Sequence, residues 1–286
     1  MPKVSVLMPI YKTNVIFLRE AIESILAQTW TDFEFLIIDD CPSDTREYVV
    51  KSYKDTRIRY FKNARNLGIA ATRNKLLHLA KGTYLAIFDH DDISLPTRLE
   101  KEVTFLDTHP DVGVVSGQIK FLPKNNISAN PQYNDDIKIG LMHGCTLVHT
   151  CAMIRKSVLE KHHLCYEDRF SPSEDYRLWC RLIPYTKFYN IPDVLLFYRK
   201  YKTNASAVQK EKMESCTQEI RVSVQAENPY LYNIWKNNLT DTIRIKLFNF
   251  IPILKIVKTQ NYIKFYLFCC LLLFTAKTSL KIKEVR

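Results

Sequence analysis

Four short constellations in the sequence combine residue types at spacings that could do chemistry. Asp89-His90-Asp91-Asp92 places three carboxylates within four residues. Such carboxylates repel one another unless solvent or a cation relieves them. Mg²⁺ takes oxygen ligands, often one or two carboxylates with substrate phosphates, so an Asp-x-Asp-Asp turn suits a hard divalent cation. The same residues could instead form an acidic turn in which an Asp caps the next helix. Asp39-Asp40 offers acceptors for a base N–H or a ribose hydroxyl, or turn chemistry with Pro42 and Ser43. Ser173-Glu174-Asp175-Tyr176-Arg177-Leu178-Trp179 carries an acid pair that could serve as a general base. Acids at a helix start are also favoured by the helix dipole alone. In the segment from Arg65 to Asn74, Gly68 permits a tight turn and the following helix could face a phosphate. Arg73 could pair there with a diphosphate. The plainer reading is a loop leading into a helix.

These residues need elements to place them. Val4–Pro9, Phe33–Ile38 and Tyr84–Phe88 are short runs, apolar nearly throughout, and read as buried strands. A helix is expected from about Asn14, with Phe17, Leu18, Ala21, Ile22 and Ile25 on one face. Further helices are expected at Thr45–Tyr53, Ala70–Ala80 (with Gly82 as a stop) and Pro96–Thr108. Ile58–Phe61 and Val112–Ser116 are strand-like. Strands that alternate with helices and do not alternate in polarity predict a mostly parallel sheet covered on both faces. Ligands of such sheets bind beyond the carboxyl ends of the strands. Both Asp39-Asp40 and Asp89–Asp92 stand at such ends. Pro123–Asp136 is polar and reads as a loop. Thr146–Ile154 precedes a helix from Lys156, another helix follows Glu174, and Lys187–Ile191 and Val194–Tyr198 are strand-like. Beyond about residue 205 the pattern turns helical and basic.

The chain has 286 residues, 47% of them apolar, enough for a large core. Its six glycines disfavour a repetitive or glycine-rich protein. The net charge of +11 is uneven: Lys236–Arg286 holds ten Lys and Arg against Asp241 and Glu284, a net of +8, which leaves +3 for the rest. Phe265–Ala276 is twelve residues between Lys264 and Lys277, too short to span a bilayer. With the Lys-studded Ile245–Val257 it suits a helix lying in the interface of an anionic membrane, or else a packed terminal helix with a solvated basic face. The apolar content of this tail argues against nucleic acid as its partner. Eight cysteines without a CxxC pair, and no signal peptide, predict a cytosolic protein with reduced thiols.

Taken in order, these segments resemble the family 2 glycosyltransferases of GT-A fold. The resemblance rests on Val4–Lys12, Ser24–Thr29, Phe33–Asp40, Asn66–Ala70, Arg73-Asn74, Gly82–Phe88, Asp89–Asp92, His149, Met153–Lys156, Glu174-Asp175, Trp179 and Tyr198-Arg199. It covers roughly residues 3–205. It implies a GT-A domain over 1–210 and a helical, basic, membrane-associating extension over 211–286. The implied enzyme is an inverting, metal-dependent hexosyl- or N-acetylhexosaminyltransferase. Its donor would be a nucleotide sugar, a UDP-sugar above others, and its acceptor a carbohydrate or a lipid-linked glycan. The family setting implies cell-surface glycan or lipopolysaccharide synthesis on the inner face of the cytoplasmic membrane.

Carried over residue by residue, Asp39 and Asp40 would contact the base, and Pro9 and Tyr11 would line the nucleotide pocket. Asn66 and Arg73 would lie near the nucleotide diphosphate. Asp89 and Asp91 would form the Asp-x-Asp motif, with Asp91 first and Asp89 second as ligands of Mn²⁺ or Mg²⁺ and Asp92 beside them. Asp175 would be the base and Glu174 its partner, with His149 and Trp179 on the substrate side. Three departures stand out. Cys41 replaces a usual Gly after Asp39-Asp40. Tyr201 stands where the family often has His, which puts a third ligand in doubt. The Gln-x-x-Arg-Trp motif of processive members is absent, which implies transfer of a single sugar. The rival readings are a non-catalytic nucleotide- or glycan-binding module on the same fold, a nucleotidyltransferase, and a dinucleotide-dependent oxidoreductase. The last lacks Gly-x-Gly-x-x-Gly after the first strand, where Pro9-Ile10-Tyr11-Lys12 stands.

Overall fold

The computed structural model describes residues 1–43, 46–201, 208–240, 244–247, 251–259, 262–267 and 279–280, with side chains as far as residue 238. In chain order the first elements are β1 (Val4–Ile10), α1 (Val15–Leu26), β2 (Phe33–Asp39), α2 (Glu47–Lys51), β3 (Ile58–Lys62), α3 (Ile69–Leu79) and β4 (Tyr84–Ile87). Next come β5 (Ile93–Ser94), α4 (Arg98–Thr108), β6 (Val112–Leu122), α5 (Asn134–Gly140), β7 (Met153–Arg155), α6 (Lys156–Lys161), α7 (Glu174–Leu182) and β8 (Lys187–Arg199). Helices α8 (Lys210–Glu227) and α9 (Pro229–Thr240) come after these, then strands β9 (Arg244–Leu247), β10 (Ile251–Thr259), β11 (Tyr262–Leu267) and β12 (Ser279–Leu280).

Among the described residues, eight strands form one sheet in the order β3-β2-β1-β4-β7-β6-β8-β5. The β3-β2-β1-β4 half is parallel throughout. Every residue of β1, β2 and β4 is buried, as their nearly apolar character requires, and the polar Ser5 and Glu34 within them are paired, Ser5 Oγ donating to Glu34 Oε1 at 2.6 Å. Helix α1 starts where Asn14 caps it, the side-chain Oδ1 of Asn14 accepting from Ile16 N at 2.9 Å. Its buried face is Leu18, Ala21, Ile22 and Ile25; Phe17 is partly exposed and takes the Arg199 guanidinium 4.5 Å from its ring centre.

Gly82 does more than end a helix. A Cβ there would lie 2.5 Å from Ser5 N, so only glycine lets this turn approach β1. Leu7 O accepts from Phe88 N and Ile10 O from Asp40 N, so alternate residues of β1 face β4. The β1–β4 ladder ends at Leu7, which lets Pro9 sit in a central strand without breaking a rung.

The other half is mixed. Strand β7 runs antiparallel to both β4 and β6, while β6 and β8 are parallel. Two strands are longer than the apolar runs predict: β6 continues to Leu122, and β8 joins the two expected pieces across Pro192-Asp193. The polar segment expected as a loop ends in α5, which begins at Asn134.

By contacts, the chain divides into compact units Met1–Val224 and Gln225–Arg286. The extension opens with helices α8 and α9, but Ile245–Val257 does not form the expected interfacial helix. Strands β9 to β12 make an antiparallel sheet there in the order β12-β11-β10-β9. Ile, Val, Phe and Tyr recur through this stretch, and β-branched and aromatic side chains favour a pleated backbone over a helix. Only Phe265–Leu267 of the expected Phe265–Ala276 helix lies within the described residues, and it is strand. No helix among the described residues is long and apolar enough to cross a membrane.

Candidate active site

The carboxyl ends of β1, β2 and β4 finish at one edge of the sheet, since Ile10 is in register with Asp39 and Leu7 with Ile87. Asp39 is fully buried: its Oδ1 accepts from Cys41 N at 2.9 Å and its Oδ2 from Tyr60 Oη at 3.2 Å. Asp40 is a brace. Its Oδ1 accepts from Asn63 Nδ2 and Leu67 N, both at 2.8 Å, and its Oδ2 from Gly68 N at 2.9 Å. A carboxylate has about four lone-pair sites, so most of its capacity goes to the chain itself. The loop amides before α3, offered by the sequence to a phosphate, are therefore held by Asp40. Asn66 Oδ1 also accepts from Gly68 N at 2.9 Å, and Gly68 adopts φ +83°. Pro9 is buried, and Tyr11, 44% exposed, stands just past the end of β1 with Lys12 Nζ 5.3 Å from its ring centre.

Beyond β4 the chain turns through Asp89–Asp92. Asp89 N donates to Thr150 Oγ1 at 2.9 Å, which anchors the turn to the segment before β7. Asp91 Oδ2 accepts from Tyr201 Oη at 2.6 Å, and its carbonyl from Arg199 Nη1 at 2.7 Å. Asp92 is 1% exposed, and its Oδ1 accepts from Arg199 N at 3.0 Å. Burial, then the charges of Asp91 and Asp89, push the Asp92 carboxyl well above the usual range. Its Oδ2 is buried without a hydrogen-bond partner among the described residues.

A crowd of acids with an unsatisfied buried oxygen is an environment that a cation would relieve, and its donors are the hard oxygens Mg²⁺ and Mn²⁺ take. No group of three or more His, Cys, Asp or Glu side chains among the described residues forms a cage. A cation on Asp91 and Asp89 fits only with further oxygens from a ligand such as a diphosphate.

The second acid pair opens α7. Glu174 is 2% exposed and forms an ion pair with Arg73 Nη1; Arg73 Nη2 reaches Asp89 Oδ1 at 3.1 Å. One guanidinium thus joins the acidic turn to the acid pair. Burial opposes the charge on Arg73, but Asp89 and Glu174 outweigh it and hold its pKa above the ordinary value. Asp175 is half-buried, and Tyr176 N donates to its Oδ1 at 2.7 Å. Burial and the adjacent Glu174 charge push the Asp175 carboxyl up to about 6, against the pull of Arg73. That is a suitable value for a general base near neutral pH.

His149 and Trp179 form a wall beside this pair. His149 Nε2 lies 2.9 Å from Tyr166 Oη, and its ring is 5.8 Å from that of Trp179. Burial and Arg73 hold His149 well below its usual pKa, so it is neutral. Tyr166 is held like a strand partner: Asn74 Nδ2 donates to its carbonyl and Asn74 Oδ1 accepts from its N–H, both at 2.9 Å. Glu174 Oε2, Arg73 Nε and Trp179 Nε1 are buried without hydrogen-bond partners among the described residues. Such atoms are rare in folded interiors. All three belong to side chains around the Glu174-Asp175 pair: Glu174 itself, its ion-pair partner Arg73, and Trp179 one helical turn beyond Asp175.

The structure therefore brings Arg73, Asp89, Glu174 and Asp175 together, with His149 and Trp179 as walls and Asp91 and Asp92 on the same turn as Asp89. Sequence reasoning missed Thr150, Tyr166 and the grip of Arg199 on the turn. The pair Tyr198-Arg199 was a signal for the last; Thr150 and Tyr166 had none.

A parallel sheet with acid groups at its carboxyl edge, continued by a mixed half, is a GT-A type architecture. The chain matches the glycosyl transferase family 2 over residues 5–162 and belongs to that family. An uncharacterized glycosyltransferase of Methanocaldococcus jannaschii is 37% identical over 75% of this chain and 77% of its own length. One from Haemophilus influenzae is 27% identical over 77% of this chain and 72% of its own. S. aureus TarS 1-349 in complex with UDP shares the fold with a TM-score of 0.66 at 17% identity, over 86% of this chain and 76% of that one. A mannosyltransferase from Pyrobaculum calidifontis, in complex with GDP-Man and Mn²⁺, aligns with a TM-score of 0.57 at 15% identity, over 84% and 75% of the two chains.

Proposed function

We propose that this glycosyltransferase moves a single sugar from a nucleotide-sugar donor to a hydroxyl of a carbohydrate or glycolipid acceptor, with inversion at the anomeric carbon. The observation that carries the reading is Asp175, a half-buried carboxyl raised to about 6, joined through Glu174 and Arg73 to the acidic turn at Asp89. Asp175 takes the acceptor proton as the hydroxyl oxygen bonds to the anomeric carbon and the bond to the diphosphate breaks. Inversion needs one base and no covalent intermediate. Glu174 keeps Asp175 basic, and Arg73 holds Glu174 and Asp89 together. His149, Tyr166 and Trp179 wall the acceptor side.

Asp91 and Asp89 would hold Mn²⁺ or Mg²⁺, which supplies charge stabilisation to a leaving diphosphate. The complexes of the structural neighbours with UDP, with UDP-GlcNAc and with GDP-Man and Mn²⁺ support a nucleotide-sugar donor and a divalent ion. The basic extension, +8 over Lys236–Arg286, supports work at an anionic membrane surface, which we read as the cytoplasmic face, in cell-surface glycan synthesis. The test is release of nucleotide diphosphate from a panel of UDP-, GDP- and dTDP-sugars, with and without Mn²⁺. Metal-dependent release from one donor that is lost in Asp91→Ala supports the reading. Near-native turnover by Asp175→Asn would overturn the assignment of the base.

A further inference from the structure

Arg98 opens α4, and both it and Glu102 are 0% exposed. Burying a charged pair is costly unless its bonds are nearly complete. Here they are. Arg98 Nε donates to both oxygens of Glu102 at 3.2 Å. Its Nη1 donates to Thr150 O at 3.0 Å, and its Nη2 to Ile87 O at 2.8 Å and Ala152 O at 3.4 Å. The carbonyls it gathers belong to two separate segments. Ile87 ends β4, two residues before Asp89; Thr150 and Ala152 lead into β7. Those segments meet again one layer up, where Thr150 Oγ1 accepts from Asp89 N at 2.9 Å. Burial pushes Glu102 up to about 7 while Arg98 pulls the other way. A hydrophobic pair could fill the same space but would leave the Ile87 and Thr150 carbonyls without this donor, so the charges tie two segments together as well as packing the core.

We infer that Arg98, anchored by Glu102, is a positioning residue for the Asp89–Asp92 turn. It sets the Ile87 and Thr150 carbonyls so that the Thr150 hydroxyl fixes Asp89 and the turn is formed before a cation and diphosphate arrive. It touches neither donor nor acceptor. This inference rests on the reading of the turn as a metal–diphosphate site. Groups that hold a ligand-bearing turn commonly change metal affinity by about 10- to 100-fold when removed.

The test is calorimetric binding of Mn²⁺ with UDP, GDP or dTDP, together with the melting temperature. Arg98→Met/Glu102→Met removes both charges at similar volume, and Arg98→Lys keeps the charge but loses the fork. The double variant leaves the Ile87 and Thr150 carbonyls without this donor, so it is expected to melt below wild type while still folding, and to bind Mn²⁺ with nucleotide diphosphate about tenfold or more weakly. Arg98→Lys is expected to fold and to lose several-fold, which serves if the double variant does not fold. Either folded variant binding within twofold of wild type would reduce the pair to a stitch in the fold and overturn the inference. Wild-type protein that binds none of the three nucleotides in a metal-dependent way would overturn the metal reading, and this inference with it.

Discussion

Two adjacent-acid pairs, Asp39-Asp40 and Glu174-Asp175, have the same chemistry in sequence and opposite situations in the fold. Asp40 receives three hydrogen bonds from its own chain, two of them from loop amides. Asp175 accepts from the amide of the next residue and is raised to about 6 by burial and Glu174. The first carboxylate is satisfied by structure, and the second is left reactive by it. An acid at the end of a strand or the start of a helix can thus be a brace or a base, and only its donors tell which.

The largest effect that separates them is on rate. Asp175→Asn should lower turnover by about 10²- to 10⁴-fold while leaving donor affinity within a few-fold, measured by steady-state kinetics and calorimetry. Its folded pKa lies above the ordinary 3.8, so the carboxyl weakens the fold as pH rises from about 4 to about 6. Asp175→Asn should therefore match or exceed wild-type stability at pH 7. Asp40→Ala should do the reverse. It orphans the amide of Leu67 and takes one of two acceptors from Asn63 Nδ2 and from Gly68 N, which should cost about 1–3 kcal/mol in denaturant unfolding. Equal stability of Asp40→Ala and wild type would end the comparison.

A smaller effect sharpens it. Activity should rise with pH along a limb centred near 6 as Asp175 loses its proton. Glu174→Gln removes the neighbouring negative charge and leaves Arg73 less compensated, and both lower the pKa of Asp175. The limb should move to lower pH by on the order of one unit; movement to higher pH would mean that Glu174 does not set the base. The smallest expected change is Tyr201→Phe, which removes the hydroxyl on Asp91 Oδ2. It should alter metal affinity only a few-fold, roughly 1 kcal/mol or less, in a Mn²⁺ titration.

The parallel half of the sheet was legible because β1, β2 and β4 are apolar nearly throughout and β2 and β4 lead into acids, a local pattern. The division of labour between Asp40 and Asp175 was not, because it depends on Leu67, Gly68 and Arg73, whose approach is decided by tertiary packing. Arg98 and Glu102 were unreadable for a related reason: a charged pair four apart on a helix usually marks a solvated face, and here that face is the core. The lengths of β6 and β8 escaped the pattern because each runs on past its apolar run into polar residues. The strands beyond Arg244 went unread because Lys residues interrupt their apolar runs at spacings that also fit a helix.

Asn74 has a consequence for motion. It replaces a sheet partner for Tyr166, giving that backbone two hydrogen bonds from a single side chain. Breaking both costs roughly 1–3 kcal/mol net, well below the stability of a typical domain. Opening the wall that carries Tyr166 would also uncover its buried ring and part its hydroxyl from His149, so Asn74 sets only a share of the barrier to any such motion.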